Sequence, residues 1–100
     1  MVQKTRLDIM VEAHALGVVE NILEKAGAKG WTVFAGVQGS GSSGRWQNSG
    51  INAAAEMRLI VVVVQPGIAQ SILSDIGNFF AAYPGIVTAA EVSVLRSEKF

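Results

Sequence analysis

Between Gly39 and Arg45 the chain reads Gly-Ser-Gly-Ser-Ser-Gly-Arg, and Trp46 follows directly. Glycines let a backbone approach a ligand closely and can turn successive N–H groups toward an anion. Arg45 adds a forked cationic donor that suits a phosphate or a carboxylate. Trp46 offers a flat surface for a base or for a protein partner. The run is not a Walker loop, because no Lys-Ser or Lys-Thr pair closes it and no helix follows. From residue types alone two readings stand, a ligand-binding loop and a plain flexible connection. The length of the stretch and the insertion of Arg45 and Trp46 favour the first. Arg58 and Arg96 are further cations, each readable as a solvated strand-edge charge or as a ligand contact.

The remaining reactive side chains are sparse. His14 is the single histidine, and one histidine without cysteine supplies neither a metal site nor a Ser-His-Asp triad. The acids Asp8, Glu12, Glu20, Glu24, Glu56, Asp75, Glu91 and Glu98 are scattered, with no HExxH or DxD spacing. The absence of cysteine excludes disulfides and thiol catalysis. No catalytic residue and no metal ligand is assigned, and the chain reads as a protein that is not an enzyme.

One hundred residues make one domain, 1–100. Half of them are hydrophobic, 16% are charged and the formal net charge is zero, so a core is easily built and general nucleic-acid binding is not expected. The N-terminal stretch MVQKTRLDIMVE is charged before it is apolar and too short for a signal peptide. The longest apolar run, Leu59 to Val64, is six residues against the roughly 20 needed to span a bilayer. The expectation is a soluble, cytoplasmic protein that is not embedded in a membrane.

The elements that must position the loop follow from periodicity. Arg6 to Val11 alternates, with Leu7, Ile9 and Val11 on one side, and predicts a first strand. Glu12 to Ala26 places Ala15, Val18, Val19, Ile22 and Ala26 on one helical face, and Gly27 and Gly30 stop it. Trp31 to about Val37 is aromatic and β-branched, and predicts a second strand. A flexible loop at about 39–55 follows, where the sequence shows no strand or helix period. Glu56 to Val64 predicts a third strand. Pro66 opens a second helix whose apolar face is Ile68, Ile72, Ile76, Phe79 and Phe80, and Tyr83-Pro84-Gly85 ends it. Ile86 to Leu95 predicts the last strand, and a short polar tail runs from Arg96 to Phe100. The order is βαββαβ, an α+β ferredoxin-like plan with a four-stranded antiparallel sheet and both helices on one face. The third strand is apolar on both parities, Met57, Leu59, Val61, Val63 and Ile60, Val62, Val64, so both of its sides call for burial. Two helices cover one side. A second copy of the chain is the expected cover for the other, which makes a homo-oligomer.

Three segments carry a resemblance to the PII signal-transduction superfamily over nearly all of the chain. They are GWTVFAGVQGSG at Gly30–Gly41, strand three at Glu56–Val64, and FFAAYPGIVTAAEVSVLR at Phe79–Arg96. The last resembles the PII-like proteins associated with bicarbonate transporters and carboxysomes more than nitrogen-regulatory PII. The resemblance implies a homotrimer with an adenine nucleotide, AMP or ADP or else cyclic AMP, in the clefts between subunits beneath a long T-loop. By position it implies nucleotide contacts at Thr32, Gly39, Gly41, Arg45, Gly85, Ile86 and Arg96. Ser40, Ser42, Arg58 and Trp46 are the further positions for an anion, bicarbonate, or for a partner protein. The implied function is non-enzymatic signalling of inorganic-carbon or energy status through the T-loop, with no covalent cofactor, to a bicarbonate transporter or a carboxysome-related protein. The sequence departs from the pattern in several places, among them the absence of a loop tyrosine and of a cysteine-rich tail. Its Gly-x-Gly comes one residue late, the Thr-Gly-x-x-Gly-Asp-Gly-Lys run is missing, and Glu56 stands where nitrogen-regulatory PII has a lysine. The missing run and Glu56 imply a mono- or diphosphate rather than ATP. The alternative from another class is a structural oligomeric interaction module with no small-molecule ligand.

Overall fold

The computed structural model describes residues 1–48 and 55–95. β1 (Val2–Glu12) runs into a single 3-10 turn at Ala13–Ala15 and then α1 (Leu16–Ala26). β2 (Thr32–Ala35), β3 (Gln38–Gly41) and β4 (Gly44–Gln47) follow, then β5 (Met57–Val64), α2 (Pro66–Phe80) and β6 (Ile86–Val94). β2, β5, β1 and β6 form a four-stranded sheet in that spatial order, and every neighbouring pair is antiparallel. This is the expected ferredoxin-like arrangement.

Alternation decides which residues meet the helices. Leu7, Ile9 and Val11 of β1 lie opposite Val62, Ile60 and Arg58 of β5, and the apolar members of this set are fully or almost fully buried. They close on Ala15, Val19 and Leu23 from the first helical segment and on Ala69, Ile72 and Ile76 from α2. Each large aliphatic side chain so removed from water contributes about 1.5–3 kcal/mol of transfer free energy.

The end of α1 and the start of α2 follow their sequence signals, whereas the expected helical start at Glu12 does not: β1 begins at Val2 and runs through Glu12, and α1 opens at Leu16 after the 3-10 turn. Gly27 takes φ +94°, and its N–H donates to the Glu24 carbonyl while that of Ala28 donates to Leu23, each at 3.0 Å. Pro66 opens α2 behind the extended Gln65. The expected face of the first helix needs one correction. Val18 is 45% exposed, and Leu23 takes the buried place. Ala15, Val19 and Leu23 at four-residue spacing form the buried stripe, Leu16, Ile22 and Ala26 pack beside it, and Val18 falls just outside its edge. Trp31, just before β2, packs partly against the core and donates its indole N–H to Glu20 Oε2 at 2.9 Å, which ties α1 to the strand that leads to the loop.

The loop region differs more. β2 ends at Ala35 rather than Val37, and 38–47 forms a two-stranded hairpin where the sequence shows no strand period. The pairs are Gln38 with Gln47, Gly39 with Trp46, Ser40 with Arg45 and Gly41 with Gly44. Opposed residues share a face, so Gln38, Ser40, Arg45 and Gln47 line one side of the hairpin. The other side carries Trp46 among Gly39, Gly41 and Gly44. Gly44 turns the chain at φ +99°. The remainder of the expected loop, 49–54, and the expected polar tail, 96–100, lie outside the described residues.

Ile72 is fully buried between helix and sheet. Ile72→Ala is expected to cost about 2–5 kcal/mol of folding stability, read as a lower denaturant midpoint at fixed protein concentration.

Candidate functional site

The open face of the sheet sets the floor of the site. Phe34, Leu59, Met10 and Ile86 stand in one row across β2, β5, β1 and β6. Three of them stay well exposed, Phe34 at 51%, Met10 at 39% and Ile86 at 64%. The next rows are more polar, with Thr32, Val61, Asp8 and Thr88 together, then Val63, Arg6 and Ala90. Within them Arg6 Nε donates to Asp8 Oδ1 at 2.8 Å, and this hydrogen bond, with the carboxylate charge behind it, raises the guanidinium pKa above its ordinary value.

The hairpin rises from the apolar end of this face. The Gly36 N–H donates to the Met57 carbonyl at 2.9 Å, and the Asn48 N–H donates to the Val37 carbonyl at 2.8 Å. Asn48 Nδ2 reaches the Gly36 carbonyl at 3.3 Å. Sheet and hairpin enclose a cleft of about 550 Å3, within the usual range of small-molecule sites. Its walls are Met10, Phe34, Ala35, Met57, Arg58, Leu59 and Ile86 from the sheet, and Gly36, Gln38, Gly39, Ser40, Gly41 and Trp46 from the hairpin and its root. A polar concavity of about 610 Å3 on the hairpin is bounded by Gln38, Gly39, Ser40, Arg45, Trp46 and Gln47. A third hollow, about 270 Å3, continues past Ile86 along Met10, Glu12, Met57, Pro84 and Gly85.

The sequence-predicted residues therefore divide. Gly39, Ser40, Gly41, Trp46, Arg58 and Ile86 meet in one cleft. Gly85 lies in the hollow beside it, and Arg45 on the polar side of the hairpin. Thr32 is on the same open face as Phe34 but outside the cleft wall, and Ser42 is in the hairpin turn. Arg96 lies outside the described residues. Sequence reasoning did not pick out Met10, Phe34, Met57 and Leu59, the apolar floor. Their signal was present as Met10 breaking the polar parity of β1 and as the apolar outer parity of β5.

Local contacts explain several of these positions. Arg58 is not a solvated edge charge: its side chain is 21% exposed, and Nη1 donates to the Met57 carbonyl at 3.0 Å. Its Nη2 stands 3.5 Å from Glu56 Oε2, so much of its charge is balanced in place. Arg45 is exposed and has no ion-pair partner among the described residues. His14 Nε2 lies 3.4 Å from Glu12 Oε2, on the surface. Among the described residues no group of three or more His, Cys, Asp or Glu side chains could hold a metal ion, and no helix is long and apolar enough to cross a membrane. At Gly85 a side chain would run into the Phe80 ring, and the Tyr83 ring stacks on Phe79 with centroids 4.7 Å apart. Gly85 thus lets β6 start directly against the end of α2.

A ferredoxin-like domain with a hairpin projecting between its second and third sheet strands, and a cleft at the hairpin root, is the architecture of PII-type regulatory proteins. The family model for nitrogen regulatory protein P-II matches residues 4–99, and the chain belongs to that family. Among solved structures it is similar to CPII, a nitrogen regulatory PII-like protein from Thiomonas intermedia K12 solved with ADP, AMP and bicarbonate. Identity is 26%, TM-score 0.89, with 99% of this chain and 94% of that chain covered. A second structure of CPII, with ADP, AMP and acetate, matches at 26% identity and TM-score 0.80, covering 98% and 94%. A PII-like signalling protein from Thermus thermophilus shares the fold at 23% identity and TM-score 0.83, covering 99% and 96%. No curated protein matches the chain.

The packing at Gly85 is open to a direct check. Gly85→Ala is expected to lower stability by about 1–3 kcal/mol, because the Phe80 ring must give way. Gly41→Ala meets nothing within 4 Å and should change stability by less than about 0.5 kcal/mol. Equal denaturant midpoints for the two variants would refute the account.

Proposed function

We propose that this chain is a non-enzymatic PII-like signalling protein that binds an adenine nucleotide, AMP or ADP, at the hairpin root. The observation that carries the reading is the convergence of Gly39, Ser40, Gly41, Trp46, Arg58 and Ile86 on one apolar-floored cleft. Such a cleft suits a flat base and ribose, while exposed backbone N–H groups and a cation beyond it suit phosphate. The ligands of CPII, ADP, AMP and bicarbonate, support the same choice. Cyclic AMP is a third candidate of the same chemistry.

The charge inventory favours a short phosphate chain. Glu56 already balances Arg58, which leaves the exposed Arg45 as the cation of the hairpin, joined by Arg96 if the tail reaches the cleft. Bicarbonate is the second ligand in this reading, a planar anion that guanidinium and N–H donors can hold. Three copies of the chain would cover the exposed Phe34, Met10 and Ile86 and complete the clefts between subunits. The hairpin is then the T-loop, whose arrangement with and without ligand is offered to a partner protein. A bicarbonate transporter or a carboxysome-related protein is the proposed partner, and the cytoplasm the proposed compartment. The exposed apolar row equally favours a second reading, an oligomeric interaction module without a ligand.

Thermal melts with AMP, ADP, ATP and cyclic AMP, each with and without bicarbonate, separate the two. At about 100 times its Kd a nucleotide bound only to the folded state adds about 2.7 kcal/mol, a rise in Tm that is easily resolved. AMP or ADP is expected to raise Tm, and Arg45→Ala to reduce the effect. No shift with any nucleotide would leave the interaction module. Sedimentation should give the mass of three chains; a monomer would refute the shared cleft.

A further inference from the structure

Trp46 is shared by both concavities of the hairpin, the apolar cleft and the polar hollow that carries Arg45. Its indole fills the space that side chains would occupy at two glycines. An ideal Cβ at Gly39 would stand 2.5 Å from Cζ2 and 2.7 Å from Cε2 of the ring, and one at Gly36 would stand 2.9 Å from Cη2. Real Cβ atoms do not come so close, so the seat exists only because both residues are glycine. The two glycines belong to different pieces of structure. Gly39 is the cross-strand partner of Trp46 inside the hairpin, whereas Gly36 is hydrogen-bonded to Met57 at the edge of the sheet. One ring therefore clamps the hairpin to the strand end from which it springs. Among the described residues the other ties at this root are the Asn48 N–H to the Val37 carbonyl and Asn48 Nδ2 to the Gly36 carbonyl.

We propose that Trp46 is a positioning residue of the nucleotide site, which holds the hairpin at the angle that keeps the cleft formed and supplies one of its walls. The inference rests on the nucleotide reading above. The cleft is present while the indole is seated, so the seated arrangement is the binding-competent one and the ligand need not displace the ring. Removing the ring leaves the hairpin free to swing. Binding must then order it, and apparent affinity falls by the fraction of molecules in the competent arrangement.

The test uses ADP as probe and the full chain. Calorimetry on wild type, Trp46→Ala, Trp46→Phe and Gly39→Val is expected to show Kd raised about tenfold in the alanine and valine variants. The phenylalanine variant should recover most of the loss. In a Trp31→Phe background Trp46 is the remaining tryptophan, and its emission should move on saturation with ADP. Unchanged affinity in Trp46→Ala, or an emission that stays fixed while calorimetry reports binding, overturns the proposal. If wild type gives no heat with ADP, the nucleotide reading fails separately, and amide hydrogen exchange at 38–47 decides the clamp. Faster exchange in Trp46→Ala supports it, and unchanged exchange overturns it.

Discussion

The structure depends on a mismatch between a sheet that is apolar on two faces and a helical layer that covers one. β1 and β5, the inner strands, bury Leu7, Ile9, Val11, Ile60, Val62 and Val64 beneath α1 and α2. Both helices must pack on the same side, because each βαβ crossover is right-handed. Met10, Leu59, Val61 and Val63 are left on the opposite side, together with Phe34 and Ile86 from the edge strands. The cleft is the part of this uncovered face that the hairpin overhangs. The same surplus of apolar surface therefore gives the site its floor and gives the chain a reason to associate.

Charge is handled locally at several places on the sheet. Arg6 pairs with Asp8, Arg58 with Glu56, and His14 lies beside Glu12, each across two positions in sequence. Arg6 and Asp8, two apart on β1, share a face, and the other two pairs are equally close in sequence at the strand ends. Arg6 and Arg58 thus have carboxylates beside them, while Lys4, also in β1, is buried. Arg45, exposed in β4 opposite Ser40, has no ion-pair partner among the described residues.

The hairpin shows how a glycine-serine stretch acquires shape. Its alternation is real, since Gln38, Ser40, Arg45 and Gln47 share one side, but the opposite side is nearly all glycine. A search for alternating apolar and polar residues does not register a strand whose second face has no side chains. Trp46 converts those glycines from a source of freedom into a receptor for an aromatic ring. Gly85 has a comparable part under Phe80. In both places glycine serves close packing by a neighbouring ring, a role that depends on a partner distant in the fold or across a turn.

By itself the sequence determined the βαββαβ order, most of the element limits, the helix stop at Gly27 and the helix start at Pro66, and an apolar surplus on the third sheet strand. These follow from local periodicity and backbone chemistry, which need no knowledge of what lies across the sheet. It also carried the family resemblance, and with it six of the residues that meet in the cleft. Tertiary structure decided the rest. It brought Met10, Phe34, Leu59 and Ile86 into one row through strand register, placed Leu23 rather than Val18 in the core, committed Arg58 to Glu56, and seated Trp46 on Gly36 and Gly39. Each of these depends on how the backbone is placed in space, which no repeating period in the sequence encodes, so only the folded chain could select it.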